Sequence, residues 1–311
     1  MKIAMMFPGY GSQFVGMGKE LYDESRIMQE YFEQAANCLD INFVKLCFAS
    51  SDLELAKMRN ALSSIFLVSS SIFSILKDEE IIPDLVVGYN VGAISSVHAA
   101  GAISFPDGLY LIGKYVSFYE ELLSSLDISL IRIKGVDGGI VKQICEQHSN
   151  NETFASVAVN ISQDDTIVSG NTQVVSQVSE AIKKYDVIVE NVGVEVGLHS
   201  TLMRPVSDSI KLYLQKVDFK DAKIPVLSTT EVHPIETGPS LRSSVLEHIT
   251  SCLRWSQAID YLHDYDLLVE IGPGTVLSDM AKNKYPNKKV VSVNNRSDIE
   301  KLKEIIKTDG N

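Results

Sequence analysis

One junction constrains this chain more than any other. Leu85-Val86-Val87 is a short apolar run that passes straight into Gly88-Tyr89-Asn90-Val91-Gly92 and then into an apolar helical stretch through His98. So short a run, closed by a glycine turn, predicts a buried strand. The turn then delivers the chain into a helix, and strand, sharp turn and helix together make an α/β building block. The same pattern opens the chain, where Lys2 to Phe7 ends in Pro8-Gly9-Tyr10-Gly11. It appears again where Leu267-Leu268-Val269-Glu270 enters Ile271-Gly272-Pro273-Gly274. Pro225-Val226-Leu227-Ser228 reads as a further strand, and helical periodicity covers Gly18–Leu39 and Ala61–Leu76.

The middle of the chain has another rhythm. Strand-like segments fall at Ser129–Lys134, Ala155–Asn160, Thr166–Ser169 and Val187–Val192, with helical ones at Gly139–His148 and Thr172–Lys184. The order β-α-β-β-α-β is that of a ferredoxin-like unit. The expected fold class is therefore α/β: a hydrolase-like parallel-sheet domain with an inserted ferredoxin-like small domain. The expected large domain is residues 1–126 and 193–311, the small one residues 127–192, with the active-site cleft between them. A length of 311 residues suits two units at ~150 residues each.

Composition narrows the function classes. Asp plus Glu total 40 against 28 Lys plus Arg, a net charge of −12, which argues against a general role on nucleic acid or an anionic membrane. Cys38, Cys47, Cys145 and Cys252 show no CxxC or Cys/His pairing and read as small buried apolar residues. Ala61–Leu76 carries six serines and is shorter than the ~20 residues of a membrane span, and the apolar start is too short for a signal peptide. The expectation is a soluble, cytoplasmic protein with no metal and no cofactor. The basic stretch Lys282 to Lys289 reads as a solvated turn or, alternatively, as a dock for an acidic partner. The serines at 63, 64, 69, 70, 71 and 74 read as a polar helix face or a helix-packing surface.

Gly88-x-x-x-Gly92 has the frame of a nucleophile elbow. In that device the middle residue sits on a strained turn at the head of a helix. The backbone N–H groups and positive dipole end of the helix then suit an oxyanion.

The surrounding segments make the frame specific. Phe7-Pro8-Gly9-Tyr10-Gly11-Ser12-Gln13-x-x-Gly16-Met17-Gly18 resembles the opening motif of malonyl-CoA:acyl-carrier-protein transacylases. Gly88-Tyr89-Asn90-Val91-Gly92 stands where that family has GHSLG. Ala99 to Asp107, Ile167-Val168-Ser169-Gly170-Asn171, His199-Ser200-x-Leu202-Met203-x-Pro205 and Glu270-Ile271-Gly272-Pro273-Gly274 are similar to later family motifs, in the family's order. The resemblance implies a ping-pong transfer. A serine takes an acyl group, usually malonyl, from coenzyme A and passes it to the phosphopantetheine thiol of an acyl carrier protein. A histidine activates the serine, backbone amides hold the oxyanion and an arginine pairs with the malonyl carboxylate. It also implies a monomer.

Residue by residue, the carry-over is incomplete. Asn90 stands at the serine position, and a carboxamide cannot form the acyl ester. Tyr89 replaces the histidine before it. Tyr115 falls at the arginine position, and a neutral phenol cannot replace a bidentate guanidinium. Lys114 next door points about 100° away on a helix. Tyr10 replaces the glutamine of the opening motif, though its backbone N–H remains, and Leu62-Ser63-Ser64 replaces a Gln-Pro-Ala segment. His248 takes the place of a glutamine or asparagine seven residues before Trp255. His199 and the amide of Val91 are what is kept.

Two readings of each residue stand at this point. Asn90 is a ligand- or water-holding amide, or a relic tolerated because Asn accepts unusual backbone regions. His199 is a general base or a locally bonded histidine. Tyr10, Tyr89 and Tyr115 fill space, or line a cleft for a neutral or aromatic acyl group. His248 is a replacement base or, preferred, a polar rim residue. The expected function is a degenerate member of the family that binds an acyl carrier protein or an acyl coenzyme A thioester. The alternatives are an enzyme using His199 without a covalent serine, and a transacylase whose nucleophile is Ser95 or Ser96.

Overall fold

The structure, a computed structural model, describes residues 1–309, so the last two positions of the expected span 193–311 lie outside the described residues. Among the described residues ten strands form two sheets. They are β1 (Ile3–Phe7), β2 (Leu85–Gly88), β3 (Ile128–Lys134), β4 (Ala155–Ser162), β5 (Asp165–Asn171), β6 (Ile188–Val192), β7 (Val226–Leu227), β8 (Pro234–Ile235), β9 (Leu267–Ile271) and β10 (Lys289–Val293). The larger sheet has the order β10-β9-β1-β2-β7-β8; all its pairings are parallel except that of β7 with β8. β1, β2 and β9 are buried at every residue, which is why they read as unbroken apolar runs.

The smaller sheet has the order β4-β5-β3-β6 and is antiparallel throughout. With its two helices, Gly138–His148 and Thr172–Ile182, it has the ferredoxin-like arrangement. Its strands alternate between two cores. Ile131, Ile133 and Val168 pack on its own helices, while Leu130 and Ile167 join the large core. β4 also bonds to the large unit: Asn160 N donates to Leu253 O at 2.8 Å and Leu253 N to Ala158 O at 2.9 Å.

Under the large sheet lies the helix Met58–Asp78, packed against Arg26–Leu39, Gly92–Ala99 and Phe105–Ser125. Two expectations change here. The helix has 21 residues, long and apolar enough by itself to cross a membrane, and 83% of its most apolar window is buried inside the protein. Of the two readings of its serines the packing surface holds and the polar face does not, because Ser63, Ser64, Ser69, Ser70 and Ser71 are all buried. The stretch read as one helix from Gly18 to Leu39 is two, Lys19–Glu24 and Arg26–Leu39, broken at the extended Ser25. Cys38 is exposed and Cys252 half-buried, so only Cys47 and Cys145 are the buried thiols expected.

The basic stretch is largely engaged within the chain. Lys284 Nζ lies 2.6 Å from Asp260 and donates to the Ser256 carbonyl at 2.8 Å, and Lys288 Nζ donates to His263 O and Tyr265 O.

Candidate functional site

The parallel sheet places the turns after β1, β2 and β9 at one edge, the carboxyl ends where open α/β sheets hold ligands. They meet there closely. A Cβ at Gly92 would sit 2.0 Å from Phe7 O, one at Gly88 2.0 Å from Gly92 C, and one at Gly9 2.5 Å from Asn90 Cβ. This close approach leaves no room for a Cβ at any of the three, whatever the chemistry of the site.

Asn90 occupies the apex of the turn with φ at +54°, in the left-handed region that Asn tolerates better than most residues. It is buried, and each polar atom of its side chain has a partner. Nδ2 donates to Val196 O at 2.7 Å and lies 3.1 Å from His199 Nε2. Oδ1 accepts from the backbone N–H of Tyr10 at 3.4 Å.

His199 Nδ1 lies 2.8 Å from the His248 carbonyl. A carbonyl only accepts, so Nδ1 carries the proton and Nε2 presents its lone pair to the Asn90 amide. Burial pulls the His199 imidazole down to about 4, against the upward pull of the backbone groups it bonds. His248 is pulled down to about 3, by burial and then by the neighbouring His199. Both rings are neutral near pH 7. They meet edge to face, with centroids 5.3 Å apart.

The residues leading to His199 are fixed from three sides. Tyr119 Oη donates to Val194 O at 2.6 Å, Asn90 Nδ2 holds Val196 O, and Ser169 Oγ from β5 donates to Leu198 O at 2.6 Å. Gly197 has φ at +94°, and a Cβ there would stand 2.9 Å from His199 Nε2 and 3.1 Å from Asn90 Nδ2. The chain therefore passes directly over the Asn90–His199 pair, which only glycine permits.

A cavity of about 60 Å³ opens beside the pair. Its polar lining is Asn90, Tyr115, His199 and His248; the rest is aliphatic, including Val91 and Leu62. No residue between 128 and 192 lines it, so the cavity lies within the larger unit and not between the two as expected. The smaller sheet acts on it indirectly, through Ser169.

Tyr115 lies half-buried on the cavity wall, its ring centroid 5.6 Å from that of Tyr119. Burial raises its phenol above the ordinary value, so it is neutral. Lys114 points elsewhere, its Nζ 4.9 Å from the centre of the Tyr213 ring.

Three expectations are corrected. Tyr89 does not reach the cavity; its ring is buried edge-on against Trp255, with centroids 5.2 Å apart. The Tyr10 side chain also turns away, its Oη donating to Ala56 O at 3.0 Å, and only its backbone N–H faces Asn90. His248 is no rim residue. Its ring is part of the cavity wall and its carbonyl orients His199.

Ser95 and Ser96 are buried and line no part of this cavity; Ser96 Oγ donates to Ala93 O at 2.9 Å. The carbonyls of Val196 and His248 were invisible to sequence reasoning, since every residue carries one. Among the described residues no group of three or more His, Cys, Asp or Glu side chains is placed to hold a metal ion.

Residues 5–301 match the acyl transferase domain family. The malonyl CoA-acyl carrier protein transacylase of Bacillus subtilis is 30% identical over 303 residues, spanning 96% of this chain and 95% of that protein. The crystal structure of the Synechocystis malonyl-CoA:ACP transacylase superposes with a TM-score of 0.86 at 27% identity, over 97% of this chain and all of the other. A malonyl-transacylase solved in complex with a type II PKS acyl-carrier protein superposes with a TM-score of 0.92 at 22% identity, each chain covered completely.

Proposed function

The chain belongs to the malonyl-CoA:acyl-carrier-protein transacylase family of acyl transferases, and we propose that it is a member whose transfer chemistry has been retired and whose binding site remains. On this reading it engages an acyl carrier protein, through the phosphopantetheine arm, or an acyl coenzyme A thioester, and serves fatty-acid or polyketide synthesis without turning over malonyl groups.

One observation carries the proposal: the 3.1 Å contact between Asn90 Nδ2 and His199 Nε2. A nucleophile of this type works when the imidazole lone pair takes a proton from a hydroxyl as the oxygen attacks. Here that lone pair receives an N–H whose nitrogen has no electron pair free to attack, being conjugated with the carbonyl. The carboxamide oxygen in turn takes the Tyr10 N–H, a donor of the kind that would otherwise face an oxyanion. The same contact argues against His199 acting on water or a thiol, because its basic nitrogen is already engaged. A neutral Tyr115 offers no positive charge to a malonyl carboxylate.

Incubation with malonyl-CoA followed by intact-mass measurement tests the chemical half. The expected mass is that of the unmodified chain, and a stoichiometric acyl adduct overturns the reading. Calorimetric titration with a holo acyl carrier protein and with malonyl- and butyryl-CoA tests the binding half. Heat from none of the three would sink it.

A further inference from the structure

We infer that the cavity beside Asn90 takes a short, uncharged acyl chain presented on a phosphopantetheine thioester. This rests on reading the site as a binding site. Most of its lining is aliphatic, formed by residues such as Leu62, Ile94, Ile112, Ile210, Val245 and Ile249. No lysine, arginine, aspartate or glutamate lines it. Its histidines are held neutral by burial, and Lys114 lies over the Tyr213 ring, away from it.

A chain ending in a carboxylate would have to shed its water here with no cation to meet it, which low-polarity surroundings penalise heavily. A methyl-terminated chain loses nothing by entering and gains from every buried methylene. Size sets the upper limit. At about 10–15 Å³ for each water-sized group, the cavity of about 60 Å³ has room for roughly four to six of them. An acyl group of about four carbons fills it, and one of eight leaves its far methylenes outside the cavity.

The test is a calorimetric series on the intact wild-type chain with non-hydrolysable pantetheine analogues, in which an amide N–H replaces the thioester sulfur, carrying acetyl, butyryl, octanoyl or malonyl groups. Two added methylenes are expected to tighten butyryl over acetyl about fifteenfold, at roughly fourfold each. Octanoyl should gain nothing beyond butyryl, and malonyl should bind at least tenfold more weakly. Tyr115→Arg should invert the malonyl-to-butyryl order. Ile94→Phe, which fills the cavity, should erase the butyryl advantage over acetyl.

Butyryl-CoA or a butyryl-loaded carrier protein, whichever displaces the butyryl probe, identifies the source of the shared chemistry; displacement by neither overturns the inference. So does equal affinity for acetyl and butyryl, or a preference for malonyl in the wild-type chain. Failure of this inference is separable from failure of the reading beneath it. An acyl adduct seen by mass would end the non-covalent reading while leaving a preference for uncharged chains intact, and a flat acyl series would do the reverse.

Discussion

Asn90 differs from a serine by a planar group with two donor hydrogens and an acceptor oxygen, and the site uses each of them. Replacing it with Ser restores a hydroxyl at the apex and frees the His199 lone pair. Asn90→Ser is therefore expected to yield an acyl adduct by intact mass with butyryl-CoA. Malonyl-CoA should label only the Asn90→Ser, Tyr115→Arg double variant, because a buried carboxylate needs its guanidinium. Full malonyl labelling of the single variant would show that Tyr115 does not govern the choice. The imidazole gives a second prediction. His199 has its proton affinity lowered to about 4 in the native state, against an ordinary value near 6.5 when unfolded. Between those values the unfolded chain binds the extra proton, so stability is complete above about pH 6.5 and falls as pH drops toward 4. At about 1.4 kcal/mol per pH unit, the loss is roughly 3 kcal/mol. Urea melts across this range should show that slope in the wild-type chain and a shallower one in His199→Gln; equal slopes would contradict it. The departures from the family motif at positions 89, 90 and 115 were legible in the sequence because they lie in the side chain itself. The Val196 and His248 carbonyls, which complete the arrangement, were not, because a backbone acceptor has no signature.

The helix Met58–Asp78 shows how an element can be found while its environment stays between two readings. Its apolar density marked it as buried, and the serines invited either a polar face or a packing surface. The structure buries every residue from 61 to 73, with Ser69 so close to the turn after β9 that a Cβ at Gly272 would approach its Oγ to 2.3 Å. Small side chains let neighbouring backbone come near; their hydroxyls are incidental to that. Ser70 Oγ is buried without a hydrogen-bond partner. Ser70→Ala should remove the cost of an unpaired hydroxyl and improve helix propensity, stabilising the chain by about 1 kcal/mol, or about 2 °C in Tm. A drop in Tm on calorimetry would mean that the hydroxyl does have a partner. Strands divide in the same way. β1, β2 and β9 were legible because burial on both faces leaves an unmistakable apolar run. β10 was not, because it starts in the basic stretch and, as an edge strand, buries only Val291 and Val293 fully.

At the scale of the whole molecule the two sheets are joined by the strap that leads from β6 to His199. The order of strands and helices made both units legible, since each has its own periodicity. The strap has none. Its carbonyls at 194, 196 and 198 are held by donors that stand 75, 106 and 29 residues away along the chain. Those donors come from the helix Phe105–Ser125, the elbow and β5, so the strap reports on the packing of three separate elements. If it is one cooperative unit, removing any one donor should loosen all of it. Hydrogen exchange at the amides of 194–199 should quicken about five- to tenfold in Ser169→Ala and again in Asn90→Ala, for a loss of about 1 kcal/mol in each. Amides of β1 and β9, in the centre of the large sheet, should keep their rates. Quickening confined to the one or two amides beside each lost bond would show three independent tethers. Quickening throughout the chain would show that the bonds support the global fold. The cooperative outcome would mean that Ser169, outside the cavity lining, positions His199 through the backbone, and that Asn90 holds the strap with the amide that also meets His199.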